Sequence, residues 1–179
     1  MQDRIIPYSA IDDFTEIADS LVNSLRLDNN LDIRDEFPGT YGAHSISLVD
    51  TIDHLEKARD RYVIGEHEQF IVFSGRVAAG ICVVTCDVNP PKGIRANTPN
   101  VSGFIAHPHT GRGLGRLSIQ ERMKVVESNF DNRAWTSIKN GNTASEHLIE
   151  SVGFVRTDLA IPSQHSRSVY TFGDTSPLE

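Results

Sequence analysis

The chain of 179 residues is poor in cysteine, has a single tryptophan, and contains no apolar run long enough to span a membrane. Its two cysteines, Cys82 and Cys86, are too few for a disulfide framework or a structural zinc site. Four apart in an expected strand, they fall on one face and read as buried, reduced thiols. The N-terminal MQDRIIPY lacks the basic and apolar regions of a secretion signal, so a cytoplasmic protein with no membrane partner is expected. Positive charge is also scarce. Lys and Arg number 17 against 24 Asp and Glu, leaving a net charge of −7. That balance argues against a nucleic-acid partner, because such binding is driven by clustered cations that neutralise phosphates. No repeat, low-complexity tract or linker interrupts the chain, and its length suits one domain over residues 1–179 with a sizeable core.

Periodicity gives the order strand, helix, long connection, helix, hairpin, strand, helix, strand, helix and two strands, an α/β pattern with mixed strands. Arg4 to Pro7 starts the sheet. Ser9 with Asp12 three later reads as a cap for a helix burying Phe14, Ile17, Leu21 and Leu25, and Asp50 with Asp53 repeats that cue for a helix through Leu55 and Tyr62. Phe70 to Phe73 and Val77 to Val84 form a hairpin across Ser74, Gly75 and Arg76. Trp135 to Ile138 is the next strand. Phe154 to Ile161 and Val169 to Phe172 are expected to make the closing hairpin. Two irregular segments, Asp28 to Val49 and Asp87 to Asn100, carry Pro and Gly and exceed simple turns. The first is expected to shape an acceptor pocket, since long loops inside compact domains are often functional; a surface insertion is the alternative.

The run His109 Thr110 Gly111 Arg112 Gly113 Leu114 Gly115 Arg116 carries the chemistry. It follows an expected strand, Val101 to Ala106, and precedes a helix marked by Ile119, Met123, Val126 and Phe130. Backbone N–H groups at a helix start lack partners and the helix dipole adds positive charge, so a pyrophosphate fits there. Glycine lets the backbone touch the ligand. A dinucleotide fingerprint would need glycine at Arg116, and a P-loop would need a GK[ST] ending, so neither fits. His107 and His109, two apart around Pro108, have no Cys or acidic partner at a recognised spacing. No metal is expected, and phosphate contact by His109 is the better reading.

This run resembles the signature of the GNAT superfamily of N-acyltransferases, [QR]-x-x-G-x-[GA] after a strand ending in V-x-P, with Gly113 and Gly115 in the glycine places and Thr110 where Arg or Gln is usual. A second block, Asn142 to Phe154, is similar to the family's later N-x-x-[AS], hydrophobic helix and GF. The resemblance covers roughly residues 69 to 172 and is nearest the branch acting on protein N-termini and small amines. It implies a single-domain GNAT-like α/β (α+β) fold: a mixed, mostly antiparallel central sheet with a splayed parallel strand pair and helices on both faces. It also implies acetyl-CoA as cofactor. Ile105, Ala106, His107, Arg112, Gly113, Leu114, Gly115, Arg116, Asn142 and Ser145 would bind it, with strand N–H groups near Ile105 and Ala106 polarising the thioester carbonyl. Arg112, Arg116 and Lys139 would supply positive charge to the phosphates. Asn is also a favoured N-cap, which needs no ligand.

The reaction so implied is acetyl transfer to a primary amine of a small molecule or peptide N-terminus. An alkyl amine with a pKa of about 10.4 is mostly charged at neutral pH, so a base must remove a proton. Asp87, His107 and Glu68 are candidates. The helix position where many GNAT enzymes carry a tyrosine acid is Ile149, which cannot donate a proton; Tyr170, Ser145, His147 or water would substitute. A non-catalytic acyl-CoA sensor with the same fold is the alternative function, and a homodimer is expected by resemblance only.

Overall fold

In the computed structural model, which describes residues 2–26, 48–62, 67–86, 88–161 and 166–177, seven strands form one sheet in the order β1-β2-β3-β4-β5-β7-β6. They are β1 (Arg4–Pro7), β2 (His67–Ser74), β3 (Val77–Thr85), β4 (Asn100–Ile105), β5 (Ala134–Lys139), β6 (Val155–Arg156) and β7 (Arg167–Phe172). The sheet is mostly antiparallel, with one parallel neighbour pair, β4 and β5. The helices among the described residues are α1 (Thr15–Arg26), α2 (Leu48–Tyr62), α3 (Leu114–Asn129) and α4 (Thr143–Glu150). The chain divides into two compact units, Met1–Cys82 with Gly103–Ser118 and Val83–Ser102 with Ile119–Glu179.

In the first unit β1 runs antiparallel to β2 from Arg4 opposite Phe73 to Pro7 opposite Phe70. An end strand tolerates Pro7, which has no N–H to donate. Helix α1 buries Ala18, Leu21 and Leu25, spaced three and four apart, in a core shared with Leu55, Ala58, Ile71, Phe73, Ile81 and Phe104. Its start differs from the sequence reading. Tyr8–Ala10 forms a 3₁₀ turn, and the first α1 amide, Thr15 N–H, donates to Asp13 Oδ1 at 2.8 Å, so Asp13 caps the helix in place of Ser9 and Asp12. The reason is packing: Tyr8 is fully buried edge-on to Phe14, with ring centroids 5.3 Å apart, and this fixes the entry to the helix. Helix α2 likewise begins at Leu48, ahead of the expected Asp50 cue, and Asp53 pairs with Lys57 one turn on, at 2.8 Å. The β2–β3 hairpin turns at Gly75, whose φ of +63° favours glycine. Of the long connection expected over 28–49, residues 28–47 lie outside the described residues and the last two open α2.

In the second unit β5 pairs with β7 over its whole length, Ala134 opposite Phe172 to Lys139 opposite Arg167. Its parallel register with β4 is a single pair, Asn100 opposite Trp135, with Trp135 N–H donating to Pro99 O at 2.9 Å. Met123, Val126, Ile138, Ile149, Phe154 and Tyr170 make one core cluster, and Trp135 packs with Ile94 and Val169 in another. The closing hairpin is shorter than expected, because β6 has two residues; Leu159 and Ile161 leave it to pack against the Trp135 cluster. Cys86 also departs from expectation. It lies beyond the end of β3, half-buried, with Sγ donating to Asn97 O at 3.5 Å, whereas Cys82 is fully buried; neither forms a disulfide.

Candidate functional site

The glycine run occupies the first unit. β4 ends at Ile105, and Ala106 N–H donates to Ala79 O of β3 at 2.7 Å. That bond removes Ala106 from the polarising role expected of its amide. Alternation along an antiparallel strand then turns Ile105 N–H to the other edge of β4. A 3₁₀ turn, His107–His109, follows with Pro108 inside it, closed by His109 N–H on Ala106 O at 2.9 Å and Thr110 N–H on His107 O at 3.1 Å. Thr110 Oγ1 also donates to His107 O at 2.9 Å, so the residue standing where Arg or Gln is usual stabilises the turn itself. The His107 side chain is exposed.

Gly111 and Gly113 have φ of +73° and +82°, and among the described residues no atom beyond the chain neighbours lies within 4 Å of where a Cβ would stand on either. Packing therefore does not demand glycine here; the left-handed backbone does, together with anything that approaches from the open side. Leu114 is buried and pins the start of α3. The first bond of the helix is Leu117 N–H to Gly113 O at 3.1 Å, so the amides of Leu114, Gly115 and Arg116 precede the ladder. Arg112 and Arg116 are exposed beside them. The result is a concentration of N–H donors and cationic charge suited to a diphosphate.

His109 does not face that cradle. Its Nε2 lies 3.4 Å from Ser24 Oγ of α1, and Ser24 Oγ–H donates to Ala78 O at 2.8 Å. His109 Nδ1 is buried and has no hydrogen-bond partner among the described residues. Burial, and then the Arg112 charge, hold the imidazole below its ordinary pKa. Both ring nitrogens are thus turned inward, which overturns the expected phosphate contact.

The second unit holds the other carried-over residues. Asn142 Oδ1 accepts Ser145 N–H at 3.2 Å and Asn142 O accepts Glu146 N–H at 3.0 Å, making Asn142 the N-cap of α4. Ser145 is half-buried. Ile149 belongs to the core cluster, so a tyrosine there would have to displace packed side chains. Tyr170 is 1% exposed, and its hydroxyl meets the Glu146 carboxylate. Burial first, then the Glu146 and Glu150 charges, raise its pKa, with Arg156 opposing them. Asp87 lies outside the described residues. Glu68, half-buried in β2, has its carboxyl pKa raised by desolvation.

Two residues went unread in the sequence. Ser24 sits three beyond Leu21 on the apolar face of α1, where a polar side chain is itself a signal of a buried hydrogen bond. Glu146 lay inside the second block and carries no spacing signal of its own.

No family model and no curated protein matches the chain. Solved structures do. The chain is similar to an acetyltransferase of the GNAT family from Streptococcus pneumoniae (18% identity, 97% of this chain and 98% of that one, TM-score 0.58). It is similar to the acetyltransferase yncA from Salmonella typhimurium, described as putative and solved with its cofactor acetyl-CoA (16% identity, 95% and 91%, TM-score 0.61). It also resembles RimJ from Mycobacterium smegmatis, in complex with CoA-disulfide (11% identity, 94% and 80%, TM-score 0.67). At these identities the shared property is the fold, and the chain has the fold of the GNAT acetyltransferases.

Proposed function

We propose that this chain is an acetyl-CoA-dependent N-acetyltransferase of the cytoplasm, acting on a primary amine of a small molecule or a peptide N-terminus. The observation that carries the reading is the open turn at Gly111 and Gly113, which needs its glycines for conformation and approach rather than for packing. Coenzyme A fits the donor set. Leu114, Gly115 and Arg116 offer amides ahead of the helix ladder, Arg112 and Arg116 offer cations, and the net charge of −7 makes that local positive charge necessary for an anionic ligand. The thioester supplies an activated acetyl group.

The chain's own groups supply the rest. Ile105 N–H polarises the acyl carbonyl, and Glu68 accepts the proton of the incoming ammonium, with its raised pKa bringing it nearer neutrality. His107 serves as a second proton acceptor and Asp87 as a third. Tyr170 or Ser145 donates to the leaving thiolate, whose pKa of about 8.5 makes it a tolerable leaving group with partial protonation. Asn142 and Ser145 contact the cofactor, as the resemblance implies. A thiol-release assay with acetyl-CoA and a panel of polyamines, amino acids, aminoglycosides and peptides tests the reading. Release with one class of amine is expected. Tight coenzyme A binding without release for any amine would favour the acyl-CoA sensor, and absence of binding would end both.

A further inference from the structure

We propose that His109 is a positioning residue for the glycine cradle: its imidazole, hung on Ser24 in the last turn of α1, fixes the 3₁₀ turn from which Gly111 and Gly113 depart and so sets the aim of the helix amides. The inference rests on the reading of that cradle as a coenzyme A site. Three observations carry it. Ser24 is buried and spends its proton on Ala78 O at 2.8 Å, so its oxygen is left to accept. His109 Nε2, at 3.4 Å, is the donor that fits, which assigns the neutral Nε2–H tautomer. The other nitrogen, Nδ1, is buried with no partner among the described residues, which hold the ring by one contact and offer no acceptor for a second proton.

The anchor is also sensitive to charge. Protonation would put a hydrogen on Nδ1 where no acceptor stands, and would place a cation near Arg112. Arg112, in the glycine turn, is the charged group acting on the ring among the described residues; α1 and β3 face it with the uncharged Ser24 hydroxyl and Ala78 carbonyl, and His107 at the other end of the turn is exposed. A protonated ring would therefore leave its seat for water and release the turn. A histidine that touched the diphosphate directly would behave in the opposite way, since its charge would strengthen binding.

Calorimetry with coenzyme A on wild type, His109→Gln, His109→Ala and Ser24→Ala separates the two roles. At mildly alkaline pH, His109→Ala and Ser24→Ala are expected to weaken binding about tenfold, the loss of one net hydrogen bond. His109→Gln, whose amide can donate to Ser24, should recover most of it. On acidification through the imidazole range the Kd of wild type should rise relative to that of His109→Gln; the ligand's own phosphate titration is common to both and cancels in the ratio. A falling ratio, or equal affinity in all four proteins, would overturn the proposal. If wild type binds no coenzyme A, the functional reading fails instead. The anchor is then read in the free protein, where the Gly111 and Gly113 amide resonances should follow the His109 titration in wild type but not in Ser24→Ala, and unmoved glycines would refute it.

Discussion

Replacing Gly113 by Ala separates what the turn needs for folding from what it needs for its ligand. The backbone there sits at φ +82°, and an L side chain in the left-handed region costs about 1–2 kcal/mol. Among the described residues no atom beyond the chain neighbours lies within 4 Å of the added Cβ, so steric clash with them adds nothing to that cost. For a chain of this size, each kcal/mol lowers Tm by about 2–4 °C, giving an expected fall of about 2–8 °C. The methyl group would stand on the side from which a diphosphate approaches the amides. Losing one charge-assisted hydrogen bond costs about 1.5–3 kcal/mol, so Kd for coenzyme A should rise about 10- to 100-fold by calorimetry. Gly113→Asn should lose less stability, because Asn tolerates the left-handed region, yet bind no better than the Ala variant. Gly173→Ala serves as the control: its φ is +68° and its Cβ would run into the Asn132 carbonyl, so it should destabilise more and leave Kd unchanged. An unchanged Kd in Gly113→Ala with the expected fall in Tm would refute the cradle.

Tyr170→Phe removes the hydroxyl that meets Glu146; kcat should fall about tenfold with KM unchanged if the phenol donates to the thiolate, and unchanged turnover would exclude it. Asn142→Ala should lower stability by about 1 kcal/mol through the lost cap, whereas Asn142→Asp keeps the cap and adds negative charge, so weakened coenzyme A binding at unchanged Tm would mark Asn142 as a ligand contact. Glu68 has its pKa raised by burial, so the fold favours its protonated form. Its stability contribution is present below the unfolded carboxylate range and lost as pH rises through the folded pKa. Glu68→Gln should therefore be more stable than wild type at neutral pH, and the acid limb of kcat/KM, lying above the ordinary carboxylate pKa, should flatten; a limb that persists would remove Glu68 as the base.

Much of this fold was legible because its elements bury alternating or helically spaced faces. β1 was read to the residue, and Ile119, Met123 and Val126 lie in the core as their spacing required. The helix starts were misread where tertiary packing chose the cap: Ser9 and Asp12 match the cue, but buried Tyr8 sets the entry and leaves Asp13 to accept the first amide. The glycine turn was visible because unusual backbone demands unusual residues. The aim of a side chain leaves no such trace. His109 reads as a phosphate ligand by proximity in sequence, and only the fold brings Ser24, 85 residues earlier, to its ring. The polarising role of the Ala106 N–H was misassigned for the same reason, since that amide is bonded to Ala79 O.

The single tryptophan stands at the single parallel pair. Trp135 is opposite Asn100, its Nε1–H is held by Thr98 O at 3.1 Å, and its ring is packed against Ile94 and Val169. Tryptophan emission, excited at the red edge where the four tyrosines do not absorb, therefore issues from that seam alone, blue-shifted by its dry surroundings. Any ligand or substitution that loosens the junction of β4 and β5 can be followed there in unlabelled protein, without an added probe and without a second indole to confuse the signal.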